Sequence, residues 1–151
     1  MDTITDRIEK QVVIRAPRAR VWQALADAGE LGRWFGVDLG PGPIADGSRL
    51  RGAITHPGYE HLVFDATVER CEPERLLAWR WHPDPEHPEA EPTTQVTFEL
   101  TDVEGGTLLT VVESGLAAIP AERRERVYRG NEEGWSQQVE NVKRHVLGAG
   151  A

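Results

Sequence analysis

The chain has a single cysteine, Cys71, so it can close no internal disulfide and cannot supply a cysteine cage for a metal. It lacks any run of about 20 apolar residues, the length needed to cross a bilayer. The opening stretch MDTITDRIEK is charged where a signal peptide would be hydrophobic. Together these point to a soluble, cytoplasmic protein with no membrane insertion. Positive charge is also scarce: 17 basic residues face 25 acidic ones, and at a net charge of −8 the chain lacks the overall positive field that attracts nucleic acid, which disfavours that partner and leaves a local patch open. Catalytic signatures are missing. There is no glycine-rich phosphate loop, G-x-S-x-G elbow, H-E-x-x-H or close Cys/His pairing. Ser114 and Cys71 have no sequence neighbour that marks either as a nucleophile, since Arg70 would point to the other face of a strand. Flavin and nicotinamide fingerprints are absent too, so no cofactor is expected. At 151 residues the chain has the usual size of one domain, and residues 1–151 are read as one.

The longest periodic segment lies at the C-terminal end. From Trp135, apolar residues return at Val139, Val142 and Val146, and backwards at Tyr128, which predicts a helix over 119–147 with one buried stripe. Pro120 suits its first position and Gly148 its end. At 1.5 Å per residue such a helix is roughly 40 Å long, enough to cross a small domain. Gly130 and Gly134 lie one turn apart within it, each costing about 1 kcal/mol relative to Ala. They share a side of the helix with Asn141, next to the Trp135 stripe. Two explanations fit: close backbone packing or a kink, and room left for a bound molecule.

Upstream, residues 8–15 alternate with Ile8, Val12 and Ile14 on one face, a strand with one buried side. Pro17 opens a short helix with Val21, Trp22 and Leu25 on a stripe and Gly29 as its stop, and 30–35 adds a turn or two before Gly36. Residues 40–47 form a Gly/Pro loop. The period then becomes two through candidate strands at 48–54, 61–71, 76–81, 93–101 and 107–113, joined by turn-like HPGYE, EPE and VEGG, so neighbours should pair antiparallel. The segment between Trp81 and Thr93, HPDPEHPEAEP, reads as a stiff solvated loop. Strand, two short helices, five strands and a long helix make an α+β fold: a six-stranded antiparallel sheet covered by the C-terminal helix. If the sheet curls, an apolar cavity is left beneath that helix.

Trp79 and Trp81 face one side of a strand, and Val96 and Phe98 repeat the arrangement on the next. With Trp34, Phe35 and Trp135 they are numerous enough to line a pocket; each ring alone is better explained as core, and the glycine pair on the covering helix tips the set towards a pocket. Glu113 points inwards if Leu109 and Val111 do; the alternative inward face of Leu108, Thr110 and Val112 leaves it at an exposed strand end. Inside an apolar pocket its carboxylate could hold a ligand donor or move a proton. His56, His61, His82 and His87, the last two near Asp84, Glu86 and Glu89, lack zinc-site spacing and are interleaved with prolines, so no metal is expected.

APRARVWQALADAGELGRWFG resembles the opening of the START-like, helix-grip (SRPBCC) superfamily, and EGGTLLTVVESG with GWSQQVENVKRHV resembles its close. EPERLLAWRWHP and EPTTQVTFEL are similar to the middle of a bacterial subfamily related to the activator of the heat-shock protein 90 ATPase. The resemblance runs from about residue 7 to 147. It implies a curved sheet gripping the C-terminal helix over a hydrophobic cavity, and a ligand that is lipid-like, aromatic or polyketide-like. Some relatives are labelled vanillate demethylase oxidoreductase, but an iron–sulfur cluster needs four Cys or His ligands and only Cys71 is available among the cysteines. The co-chaperone reading lacks the second domain of the eukaryotic activator, and fold analogy alone does not transfer function.

The leading expectation is a non-enzymatic carrier or sensor for a small hydrophobic molecule. Its cavity would be lined by Trp34, Phe35, Trp79, Trp81, Phe98, Val111, Glu113, Gly134, Trp135 and Gln138. The alternatives are a cyclase- or hydrolase-type enzyme using Glu113 with Gln138 or Asn141 as orienting partner, and a module whose acidic surface docks a basic protein. A homodimer is compatible with the sequence.

Overall fold

A computed structural model describes residues 6–84 and 92–148. The chain forms β1 (Arg7–Ile14), α1 (Arg18–Ala26), α2 (Ala28–Phe35), β2 (Arg49–Ala53), β3 (Val63–Glu72), β4 (Leu76–Trp81), β5 (Thr94–Val103), β6 (Gly106–Ser114) and, after a single 3-10 turn at Leu116–Ala118, α3 (Ala121–Leu147). The strands make one sheet in the order β1-β6-β5-β4-β3-β2, antiparallel at every pairing. This is the helix-grip α+β arrangement, with β1 carried to the far edge beside β6. Hairpins join β2 through β6 in sequence, so only the segment containing α1 and α2 has to cross from one edge of the sheet to the other.

Alternation along the strands decides which side is core. Ile8, Val12 and Ile14 on β1, Val96, Phe98 and Leu100 on β5, and Leu109, Val111 and Glu113 on β6 all point inwards and are buried. The pairing of β3 with β4 shifts register between Val68 and Arg70, and such a bulge bends the strand that carries it. Glu69, at the shift, accepts hydrogen bonds from Arg80 (3.1 Å) and Gln95 (2.9 Å). The inner face receives α3, whose buried stripe is Val127, Trp135, Val139, Val142 and Val146.

Several local expectations are corrected. The first short helix stops at Asp27, not Gly29; Asp27 is extended and its carboxylate accepts from the Glu30 N–H at 2.9 Å, so it caps α2. Trp22 is only half-buried, and Ala24 takes its place beside Val21 and Leu25. Pro120 is the cap of α3 and Ile119 a core residue outside it. Val127, not Tyr128, continues the buried stripe; the Tyr128 hydroxyl instead donates to the Arg7 carbonyl at 3.2 Å.

The end of α2 is placed by two glycines. Gly36 closes the helix in the left-handed conformation (φ 92°), which a β-carbon disfavours. Gly52 lets the following loop lie against β2, because a β-carbon there would stand 1.8 Å from the Asp38 carbonyl oxygen. Asp38 N–H donates to Ala53 at 2.9 Å across this contact. Phe35 is thereby held over the inner face of the sheet.

No helix among the described residues is long and apolar enough to cross a membrane. Cys71 donates its thiol to the Ile44 carbonyl at 3.4 Å, and burial first, with Asp46 second, pushes its pKa up, so the thiolate is disfavoured.

Candidate functional site

The centre of the seam between sheet and helix is filled with rings. Phe35 stands within 5.2–6.2 Å, centroid to centroid, of Trp34, Phe64, Trp79, Trp81 and Trp135, with interplanar angles of 63–74°. Trp79 and Phe98 meet at 4.9 Å, and Phe98 reaches Trp135 at 5.8 Å. These tilted and edge-on contacts are the packing that aromatic quadrupoles favour. Large rings from both layers therefore occupy the centre of the seam in which a cavity was expected.

Open space lies around Phe35 instead. A pocket of about 240 Å³ is bounded by Phe35, Ile54, Phe64, Trp81, Pro83 and Asn131. A slot of about 100 Å³ lies between Phe35, Trp81 and the α3 face carrying Gly130, Asn131, Gly134, Trp135 and Gln138. On the other side of Gly134 and Gln138 lies an open groove of about 1020 Å³ between the end of α2, the segment after β2 and the last turns of α3. Phe35 belongs to the wall of all three. Close packing does not account for the helix glycines: a β-carbon at Gly130 or Gly134 would have no atom within 4 Å beyond its own helix.

Of the residues expected to line a cavity, Trp34, Phe35, Trp81, Gly134, Trp135 and Gln138 border this space. Trp79, Phe98 and Val111 border none of it; they are packed inside the core. Gln138 donates to the Phe35 carbonyl at 2.9 Å and accepts from Asn141 at 3.0 Å, so it ties α3 to the end of α2. Trp34 donates its indole N–H to the Ala24 carbonyl at 2.8 Å, which fixes the ring.

Glu113 is 0% exposed, on the inward register with Leu109 and Val111, and the exposed strand-end alternative is overturned. Its carboxylate accepts from Trp135 Nε1 (2.9 Å) and Asn131 Nδ2 (3.1 Å) on one oxygen, and from Thr94 Oγ1 (2.6 Å) and Trp81 Nε1 (3.1 Å) on the other. Four neutral donors from β4, β5 and α3 thus converge on β6. Those donors account for the lone-pair directions of a carboxylate, and Glu113 borders neither pocket nor groove. A proton transfer to a ligand would first have to break this set. The geometry therefore suits a structural and positioning role.

Asn131, which the sequence reading did not single out, connects this buried carboxyl group to the open space. Its NH₂ group is committed to Glu113 and to the Pro83 carbonyl (3.2 Å), which determines the amide orientation and leaves Oδ1 as its acceptor. The available signal was its position one turn before Trp135, beside Gly130.

A second polar knot lies behind the groove wall and reaches it at His145. Glu30, buried at the start of α2, accepts from Arg20 Nη1 (2.9 Å) and contacts His145 Nε2 (2.8 Å) on α3. Burial alone would raise its pKa, but the hydrogen bonds from His145 and Arg20 outweigh that and hold it below its ordinary 4.5. A carboxyl with a depressed folded-state pKa adds stability above its unfolded value and loses it as the pH falls through the folded one. Glu30→Gln should accordingly flatten the fall in stability below about pH 4.5, measured as urea midpoints across pH 3–7. An unchanged acid slope would show that the knot is not formed in solution.

Of the histidine and acid cluster considered for a metal, His87, Glu86 and Glu89 lie outside the described residues. Asp84 is buried, ion-paired with Arg126 at 3.0 Å and Arg123 at 3.7 Å. Among the described residues no three His, Cys, Asp or Glu side chains are grouped to hold a metal.

Residues 15–146 match the family described as Activator of Hsp90 ATPase homolog 1-like protein. The chain belongs to that family. No curated protein matches it. Among solved structures it is similar to DynU16, a protein of the dynemicin biosynthetic locus, at 25% identity and a TM-score of 0.73. That match covers 95% of this chain but 48% of DynU16, so the chain spans about half the length of that protein. MLL2253 from Mesorhizobium loti is also 25% identical, with a TM-score of 0.73 over 93% of this chain and 96% of its own. The solution structure of the Aha1 dimer from Colwellia psychrerythraea aligns at 20% identity with a TM-score of 0.69, covering 94% of this chain and 96% of that one. At that identity the likeness carries the fold and nothing about association or partners.

Proposed function

We propose that this family member binds a small, largely apolar molecule in the space around Phe35 and acts as its carrier or sensor. The observation that carries the reading is the vacant face of α3. Gly130 and Gly134 give up helix stability without being required by packing, and the space they leave is walled by Phe35, Trp81 and Trp135. Aromatic walls with a few oriented polar groups are the usual construction of a small-molecule site. Here the polar groups are the Asn131 carbonyl oxygen and the Gln138 amide. The similarity to a protein of a natural-product biosynthetic locus, DynU16, supports a small organic ligand. Glu113 is assigned the task of holding Asn131, Trp81 and Trp135 in place around that space.

The test is titration with the uncharged fluorophore N-phenylnaphthylamine. Saturable one-to-one binding is expected, with energy transfer from tryptophan to the probe because Trp81 and Trp135 border the slot. A linear, unsaturable signal without such transfer would overturn the reading. Native mass spectrometry of protein from its own source would then identify the physiological ligand.

A further inference from the structure

We infer that the molecule bound is an amphipathic anion: its apolar body enters the slot beside Phe35 and its acidic head, a carboxylate, sulfonate or phosphate, rests on Arg33 and Arg144 in the adjoining groove. This rests on the binding site proposed above and adds the charge of the ligand. Slot and groove are adjacent, with Phe35, Gly134 and Gln138 in the walls of both. The groove wall contains Arg33, Arg144, His56 and His145, and no aspartate or glutamate. In a chain with a net charge of −8, an acid-free concavity holding two arginines is a local reversal of sign.

The two arginines are also unpaired, a state that Arg15 shares among the described residues away from the groove. Most arginines of the chain are matched to carboxylates, such as Arg20 to Glu30, Arg49 to Asp65 and Arg80 to Glu69. Arg33 and Arg144 are exposed and have neither an ion pair nor a side-chain hydrogen bond among the described residues. Both stand in the last turn of a helix, where a cation ordinarily complements the helix dipole. That role neutralises only part of their charge: each helix end contributes about −0.5, against a full positive charge on each guanidinium. His145 is engaged by Glu30, whose own charge is met by Arg20, so this carboxylate does not cancel the groove. Asp38, exposed beyond the end of α2, is outside the groove wall. The amides of Gln137, Asn141 and Gln138 bond to one another and to the Phe35 carbonyl, and the two guanidinium forks bring full positive charge and bidentate geometry to the wall.

Two probes with the same ring system separate charge from apolar burial: anilinonaphthalene sulfonate and uncharged N-phenylnaphthylamine. In the full-length protein, the double variant R33Q/R144Q should weaken the sulfonate by about tenfold or more while leaving the uncharged probe within about twofold, because it removes only charge-assisted contacts. The control R70Q/R75Q makes the same change in net charge at two exposed arginines paired with Glu72, away from the groove, and should leave both probes unchanged. Raising salt should weaken the sulfonate alone. If both probes weaken together, or the sulfonate is indifferent to R33Q/R144Q, the anion assignment is wrong while the binding site stands. If neither probe binds the unaltered protein, the site falls, and the assignment with it.

Discussion

Glu113→Gln is expected to lower the unfolding free energy by about 2 kcal/mol, and Glu113→Leu by about 4 kcal/mol or more. Glutamine keeps the shape and one acceptor oxygen. Placed towards Trp135 and Asn131, that oxygen retains two donors, while the new NH₂ group faces Thr94 and Trp81. Thr94 Oγ1 already lies 3.1 Å from Trp81 Nε1 and can turn to accept, so the main loss is the charge assistance. Leucine offers no acceptor, leaving two indole N–H groups, an amide and a hydroxyl without their partner in the interior. Urea denaturation followed by tryptophan fluorescence would read both values, provided the slope with denaturant stays constant. A near-neutral leucine variant would show that the four donors find other partners and that the carboxylate is not what joins β4, β5, β6 and α3.

Gly134→Leu should weaken N-phenylnaphthylamine binding at least tenfold and leave the protein as stable as before, or more stable by up to about 1 kcal/mol. A leucine side chain would extend into the slot between Phe35 and Trp81, where a β-carbon at residue 134 meets nothing within 4 Å. The backbone at this position is helical, so the substitution relieves the glycine penalty without strain. Loss of binding together with gain of stability is unusual for a substitution on a protein's inner surface, where overpacking ordinarily costs about 1–3 kcal/mol. Gly130→Ala is the companion: a similar gain in stability with little change in binding, since one methyl group occupies little of the slot. If Gly134→Leu binds the probe as tightly as the unaltered protein, the ligand lies elsewhere. If it is strongly destabilised, the vacant face is closed in solution.

The two predictions separate the roles of neighbouring parts. The carboxylate network is expected to govern stability, because it is saturated and sealed. The glycine face is expected to govern occupancy, because it is open. Its stability cost resembles that of other functional surfaces, where a sequence departs from the best local choice at a position that must remain accessible.

Much of the fold was readable from periodicity. The switch from a period of two to one near 3.6 placed every strand and the long helix to within a few residues, since alternation and helical stripes are properties of neighbouring residues. Errors came where a stop signal had a rival. Gly29 was read as the end of α1, but Asp27 can both leave the helical conformation and cap the next helix with its side chain, so the break falls two residues earlier. The Trp22 error had a different origin: the three-residue spacing admits either Trp22 or Ala24 on the buried stripe, and the orientation of α1 buries Ala24 fully and Trp22 in part.

The candidate site was readable only in part. The inward aromatic faces of β4 and β5, the two helix glycines and the candidacy of Glu113 all follow from local pattern. Whether Glu113 faced inwards depended on a choice between two equally apolar faces of β6, and the pairing of Val111 with Phe98 and of Glu113 with Val96 settled it. Asn131 had only its place beside Gly130 as a mark, and Thr94, Arg33 and Arg144 had none, because each acquires its role by contact with residues 18 or more positions away or by lining a shared wall.

The order of side chains along the chain was thus enough for the α+β class, the antiparallel pairing and the positions of the vacant glycines, because these depend on interactions within a turn or a pleat. Which rings fill the seam, which border the open space, and where an acidic protein turns a basic groove outwards were decided only when distant segments met. Packing and electrostatics act through space: the volume left around Phe35 is the difference between a sheet and a helix that must first be brought together.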